Sequence, residues 1–476
     1  MNYEPVIGIE MHAELSTATK VYCNCSTTYG AMVNTQCCPV CAGLPGALPV
    51  LNRRAVEYAL KMGLACNCRV NALSGHDRKN YFYADLPKGY QISQVSPPLC
   101  VDGEVSFYVG ERLKRVRIHQ IHIEEDTGKL LHDDRFSGTL IDLNRSGVPL
   151  IEIVSEPDLY SAEETKAYAE ALKAILECLG ICNCRMQEGN IRCDVNVSVR
   201  PQGSTGLGTR VEMKNISTFS GVTKAIEYEV ARQIGILNAG EAVQVETRRW
   251  DEALGENFAM RAKGEADYRC FADPDLALIR LEEADIEALR RSLPELPLQK
   301  YERYLRVYGL SPYESGVLAG DLSRAAYFER CAALDAALSK PICNWLLGDL
   351  SRLCNERGVA VEQLGLAPEH LLELIRLTQD GTLSSTAAKA VLEQLLETGE
   401  TPAEAVARLG LAQINDEALL AGIATEVLAA NAGPVAEYRQ GKTNVLGFLV
   451  GQCMKRSAGK GNPQLFSRLL KEALDR

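Results

Sequence analysis

Several short stretches of this chain alternate between apolar and charged side chains, and a period of two confines them to strands with one buried and one polar face. In VIGIEMH, Ile7, Ile9 and Met11 point one way while Glu10 and His12 point the other. In IRCDVNVSVR the apolar set is Cys193, Val195, Val197 and Val199, against Arg192, Asp194, Asn196 and Ser198. In RVEMKN, Val211 and Met213 alternate with Arg210, Glu212 and Lys214, and LIEIV sets Glu152 between Ile151 and Ile153. The last two long strands are joined by PQGSTGLGT, a hairpin loop that, folded about Gly203, sets Asp194 opposite Glu212. Facing carboxylates repel by up to about 1 kcal/mol, so a cation or a strong pKa shift is the natural remedy. Carboxylates joined by the one imidazole of His12 suit Mg²⁺ or Mn²⁺, which recruit substrate phosphates as remaining ligands. The alternative is the polar outer face of a half-solvated sheet. In RIHQIHIEED the alternation is poor, and the facing of its adjacent acids Glu124 and Glu125 is open.

Cysteine is abundant, 17 in 476 residues, and odd in number. The start, MNYEPVIGIEMH, predicts no secretory signal, no stretch reaches the ~18 apolar residues of a membrane span, and the expectation is a soluble, cytoplasmic protein. A disulfide framework is then not expected, and metal binding becomes the question. Cys23-Asn-Cys25 and Cys38-Pro-Val-Cys41 make two pairs separated by twelve residues, the pattern of a closed, structural Zn²⁺ site. Unligated buried cysteines or a catalytic thiol are the other readings, and Cys37 beside Cys38 blurs the register.

The rest of the chain falls into three expected domains. Residues 1–294 read as α+β, a largely antiparallel sheet with helices at 53–66, 161–179 and 219–238. LPELPLQ at 293–299 reads as a linker to an all-helical domain, 295–405, with helices at 369–378 and 385–397. A small helical tail domain, 406–476, follows. Net charge is −11, yet from Arg439 onward eight basic residues face two acidic ones, a local +6. A basic end on an acidic body is the asymmetry of a protein that touches a polyanion at one end, or else a solvated helical face. No GxxxxGK[ST] loop is present; Gly441-Lys442-Thr443 comes nearest, with Ala436 where the first glycine would stand. ATP, if used, must be held by metal, Lys and Arg.

Ordered motifs from start to tail carry a resemblance: VIGIEMHAEL (6–15), CPVCAGLPGALPVLN (38–52), DRKNYFYADLPKGYQISQ (77–94), HIEEDTGK (122–129) and DLNRSGVPLIEIVSEPD (142–158). They continue in IRCDVNVSVRP (191–201), GTRVEMKNISTF (208–219), ETRRWDE (246–252) and GFLVGQCMKRSAGKGNPQ (447–464). With these the chain resembles the GatB/GatE family of tRNA-dependent amidotransferase subunits. E-type relatives carry a synthetase-like insertion for which this chain has no room, which points to the B type. His76, Ala84, Leu143 and Cys270 depart from the family pattern, as do Met11, Ala13 and Glu14, without removing a candidate ligand.

The resemblance implies a cradle-shaped, glutamine-synthetase-like catalytic sheet, a helical domain and a tRNA-touching tail. It implies that ATP phosphorylates the side-chain carboxylate of Glu on tRNA(Gln) or Asp on tRNA(Asn), and that ammonia from a partner amidase displaces phosphate. The implied partners are the amidase (A-type) subunit and the small (C-type) subunit of a heterotrimer. Carried onto this sequence, the Mg²⁺ ligands are Glu10, His12, Glu125, Asp194 and Glu212, with Glu152 as a second-sphere or second-metal acid. Lys79, Lys88, Lys214 and Arg192 are candidates for phosphate contacts, and Lys442, Lys455, Arg456 and Lys460 for tRNA. The rival readings are a small-molecule ATP-dependent carboxylate–amine ligase and a noncatalytic zinc-containing RNA-binding scaffold.

Overall fold

The computed structural model describes residues 2–132, 135, 137–260 and 268–475. The chain divides into two compact units, Met1–Tyr301 and Glu302–Arg476.

The first unit is built on a nine-stranded sheet. Its strands are β1 (Tyr3–Glu14), β2 (Arg69–Val70), β3 (Cys100–Val109), β4 (Arg112–Glu125), β5 (Pro149–Ser155), β6 (Ile191–Pro201), β7 (Val211–Ile216), β8 (Glu246–Asp251) and β9 (Glu256–Ala259). Across the sheet they run β9-β8-β7-β6-β1-β5-β4-β3-β2. Every pairing is antiparallel except β7–β8, whose crossover contains helix α3 (Phe219–Asn238). Helices α1 (Arg53–Ala65) and α2 (Ala162–Cys178) join α3 in covering the apolar face. The core there unites Ile7, Ile9 and Met11 of β1, Val195 and Val197 of β6, and Leu172, Leu176, Val222 and Ile226 of the helices. Each helix begins where its sequence directs: Asn52, Ser161 and Thr218 accept hydrogen bonds from backbone amides of the first turn. With one face buried, the polar parity of β1, β5, β6 and β7 is left on the other.

Register departs from expectation in two places. Glu212 lies opposite Asn196, and Asp194 lies opposite Glu10, so the expected Asp194–Glu212 pairing is two residues out. A two-residue shift preserves the face, so Asp194 and Glu212 remain diagonal neighbours. In β4 the register against β5 slips beside His119. The core parity accordingly changes from Val116 and Ile118 to Ile121 and Ile123, which explains the broken alternation of RIHQIHIEED.

The triplet of Cys23-Asn-Cys25 occurs twice more, at Cys66 and Cys182. Cys66 caps α1, Asn67 takes the left-handed conformation, and buried Cys68 packs so tightly that a Cβ on Gly103 would meet its sulfur at 2.3 Å. Cys182 and Cys184 are likewise buried in the turn after α2.

The second unit is helical. Helix Pro297–Tyr308 begins inside the segment expected as a linker, with Pro at the helix start, and the unit boundary falls within it. The expected helices lie at Pro368–Gln379 and Ser385–Thr398. The last helices pack Leu420, Ala424, Leu449, Phe466 and Leu470 into a core of their own. Among the described residues no single helix is long and apolar enough to cross a membrane.

Candidate functional site

Two groups of metal-ligand type side chains stand side by side on the polar face of the sheet. In the first, Glu10, Asp194 and Glu212 bring carboxylate oxygens within 4.8 Å of one another from three adjacent strands. Asn196 Nδ2 donates to Glu10 at 2.9 Å and Thr247 Oγ1 to Glu212 at 2.9 Å. Lys214 Nζ lies 2.5 Å from Asp194 and 2.8 Å from Glu212. Burial, reinforced by Glu152, Glu212 and Asp194, pushes the Glu10 carboxyl up in pKa, against the Asn196 hydrogen bond. Glu212 goes the other way: burial would raise it, but Lys214 and Thr247 hold it below the usual carboxylate range.

In the second group, His12, Glu124 and Glu152 also have ligand atoms within 4.8 Å. His12, Glu152 and His122 form one row across β1, β5 and β4. His12 Nε2 is 3.8 Å from Glu124 and 3.7 Å from Glu152. Buried His122 bridges the same acids from behind, with Nε2 at 3.1 Å from Glu124 and 3.0 Å from Glu152. Burial disfavours its charge, yet hydrogen bonds to the two carboxylates outweigh that and raise its pKa to about 9. Ser93 Oγ also donates to Glu124, at 2.8 Å. Lys79, on the strand Asp77–Asn80, has its ammonium 5.0 Å from the centre of the Tyr268 ring. Burial alone would lower its pKa; Glu124 and Glu152 raise it. Both groups are oxygen-rich, and the burial and mutual repulsion that together lift Glu10 are what a hard divalent cation offsets.

The four cysteines Cys23, Cys25, Cys38 and Cys41 place their sulfurs within 4.8 Å of one another and could hold a metal. Cys37 turns away to the carbonyl of Asn34, 3.3 Å off, which settles the register in favour of Cys38. A hydrogen bond from Cys23, opposed by burial and helped by the Cys38 amide and Lys20, brings the Cys41 thiol down to about 4. Lys20 is itself fully buried, with Nζ 3.4 Å from the Cys41 sulfur.

Residues 5–287 match the GatB/GatE catalytic domain, and residues 326–474 match the GatB domain. The chain belongs to the GatB/GatE family. It is 50% identical, over the whole of both chains, to the B subunit of the aspartyl/glutamyl-tRNA(Asn/Gln) amidotransferase of Caldicellulosiruptor saccharolyticus. The B subunits from Thermoanaerobacter pseudethanolicus and Persephonella marina are 49% and 46% identical, again over the full length of both chains.

In this GatB/GatE chain the residues singled out from sequence do not all meet at one point. Glu10, Asp194 and Glu212 come together with Lys214, and His12 joins Glu152, with Lys79 facing them. Glu125, expected among the Mg²⁺ ligands, lies apart from both groups. The slip beside His119 turns Glu124 onto the polar face and sends Glu125 to the core parity, where Lys88 pairs with it and the Ile92 amide donates at 2.9 Å. Lys88, with its ammonium 5.2 Å from the centre of the Tyr90 ring, is thus committed to Glu125 rather than to the open face. Arg192 stands directly across from His12, but its guanidinium reaches Asp126 at 2.5 Å. Sequence reasoning missed His122, Asn196 and Thr247 as supports, although all three lie in motifs it used. The exposed tail residues Lys442 and Arg456 pair with Glu437 and Glu426, while Lys455 and Lys460 are exposed beside them.

Proposed function

We propose that this chain is the B subunit of an aspartyl/glutamyl-tRNA(Asn/Gln) amidotransferase, a soluble cytoplasmic enzyme, and that its acidic sheet face is the kinase half of the reaction. The side-chain carboxylate of Glu on tRNA(Gln), or of Asp on tRNA(Asn), attacks the γ-phosphorus of ATP; ADP leaves and an acyl phosphate forms. Ammonia then attacks the acyl carbon, inorganic phosphate departs, the nitrogen loses a proton, and the amide remains on the tRNA. The ammonia comes from the A-type amidase of a heterotrimeric complex that also contains the small C-type protein.

The observation that carries this reading is the pair of adjoining donor groups, Glu10–Asp194–Glu212 and His12–Glu124–Glu152, on one open face. Mg²⁺ bound there would offset charge on the transferring phosphoryl group. Lys79 and Lys214, both facing the acids, are suited to holding ATP phosphates in line, where positioning and fixed charge supply most of the catalysis. Glu152 completes the second group. Arg192, tied to Asp126, serves to fix the rim rather than to touch phosphate. The four-cysteine module takes structural Zn²⁺, four thiols leaving no open coordination position. The region from 406 to the end is the tRNA-contacting module, with Lys442, Lys455, Arg456 and Lys460 meeting phosphates.

The test is phosphoryl transfer from γ-labelled ATP to Glu-tRNA(Gln) and to Asp-tRNA(Asn) by this chain assembled with its amidase and small partner proteins. Transfer by the wild type and its loss in Glu212→Ala is the expected result. Equal activity in both removes the site assignment, and no transfer to either tRNA returns the small-molecule ligase and scaffold readings.

A further inference from the structure

Lys20 sits at the foot of the four-cysteine module with none of its surface exposed. Its ammonium donates to the Cys41 sulfur at 3.4 Å and to the carbonyl oxygen of Leu143 at 3.1 Å. Among the described residues no carboxylate forms an ion pair with it. A buried ammonium that faces only a carbonyl dipole and neutral thiols is a cation without counter-charge, a costly arrangement in a protein interior. A zinc dication held by four thiolates is a formal dianion and supplies the missing charge. We infer that, given zinc in this module, Lys20 is the resident counter-cation of the zinc–thiolate cluster, and that through it zinc occupancy governs the order of the loop 143–148 leading into β5.

The sulfur that Lys20 meets is the most enclosed of the set. Cys41 is buried, whereas Cys23, Cys25 and Cys38 are half-buried. The Cys41 sulfur also accepts the backbone N–H of Cys38, at 3.1 Å. Two donors on one sulfur spread its negative charge and favour the metal-bound thiolate where solvent cannot. A cavity of about 240 Å³ borders both Lys20 and Cys41. Once the anion is gone, the ammonium therefore has water to turn to.

The same lysine ties the cluster to the rim of the acidic face. Besides Leu143, two further residues of the loop touch the module. Ser146 Oγ donates to the Cys41 carbonyl oxygen at 3.0 Å, and the Val21 amide donates to the Gly147 carbonyl oxygen at 2.9 Å. From this loop the Arg145 guanidinium lies 3.4 Å from Asp126, the carboxylate that holds Arg192 across from His12. Zinc thus stands at one end of a run of contacts through Cys41, Lys20 and the loop to Arg145 and Asp126. Without zinc, Lys20 loses its reason to stay inside, and the loop loses its tie at Leu143.

The experiment makes two measurements on the full chain. The first is the zinc Kd, from competition with the chelator 4-(2-pyridylazo)resorcinol, in wild type and in Lys20→Met, which keeps a long side chain and removes the charge. A rise of about tenfold or more in Lys20→Met is expected, with the variant folded by circular dichroism. The second is hydrogen exchange at the amides of 143–148 in wild type with zinc and after its removal. Faster exchange there on zinc removal is expected, with the helix Pro368–Gln379 of the second unit unchanged. An unchanged zinc Kd in Lys20→Met overturns the inference, and so does exchange at 143–148 that ignores zinc, a result that decides even if the variant does not fold. A wild-type chain that binds no zinc removes the zinc reading of the module and this inference with it, while phosphoryl transfer by the complex is judged separately.

Discussion

The two donor groups on the sheet are neighbours on β1, yet they manage their negative charge in opposite ways. Glu10, Asp194 and Glu212 are balanced by the ammonium of Lys214, a long side chain 38% exposed. Glu124 and Glu152 are balanced from within by His122, a short ring 5% exposed and fixed by the strand on which it sits. The first arrangement can open and readmit its counter-charge as ligands come and go. The second keeps its acids aligned whether or not a ligand is present. One face thus combines an adaptable group with a preorganised one, which suits a reaction in which phosphate must arrive, transfer and leave.

The sharpest way to break this comparison is to remove one acid from each donor group and, as a control, Glu125. Glu10→Ala and Glu124→Gln are each expected to lower phosphoryl transfer at least about a hundredfold. Glu125→Gln is expected to leave the Mg²⁺ concentration dependence of transfer unchanged, whatever its effect on the rate. A shifted Mg²⁺ dependence in Glu125→Gln would return that residue to the ligand set.

Stability distinguishes the groups next. His122→Gln strands the buried Glu124 and the half-buried Glu152 and is expected to cost about 3–5 kcal/mol in the metal-free protein, read from urea unfolding. His122 has a pKa raised from 6.5 to about 9, so its contribution is complete below about pH 6.5 and is lost as pH rises through about 9. The stability gap between wild type and His122→Gln therefore shrinks across that interval, and a gap constant with pH would refute a charged His122. Lys214→Met is the mildest change. Removing a partly exposed cation is expected to tighten Mn²⁺ binding roughly three- to fivefold, measured by calorimetry, while slowing transfer. Weaker Mn²⁺ binding would mean that Lys214 does not compete with the metal.

Much of this face could be read from period-two alternation. Because the apolar parity of β1, β6 and β7 is continuous, the facing of Glu10, His12, Asp194 and Glu212 follows from the strands themselves. Pairing partners did not follow, since the long connection between Pro201 and Val211 sets a register that a turn centred on Gly203 does not. Glu124 and Glu125 were undecidable for a different reason. The slip beside His119 is defined against β5, some thirty residues further on, and no local pattern encodes it. The same applies to Lys88 and Arg192, whose partners Glu125 and Asp126 sit at and just beyond the end of β4. The cysteine spacing was more legible, because four sulfurs within nineteen residues converge through a single short module.

The extra residue in β4 acts as a parity bit for everything downstream of it. Deleting His119 would advance the strand by one position and present Glu125, with its Lys88 tether, where Glu124 now stands. Glu124 would then point into the helix-covered side. Glu125 would take over the open face and Glu124 the place of Ile123 without either being mutated, so in this strand backbone length, as much as residue identity, determines which acid is available for chemistry.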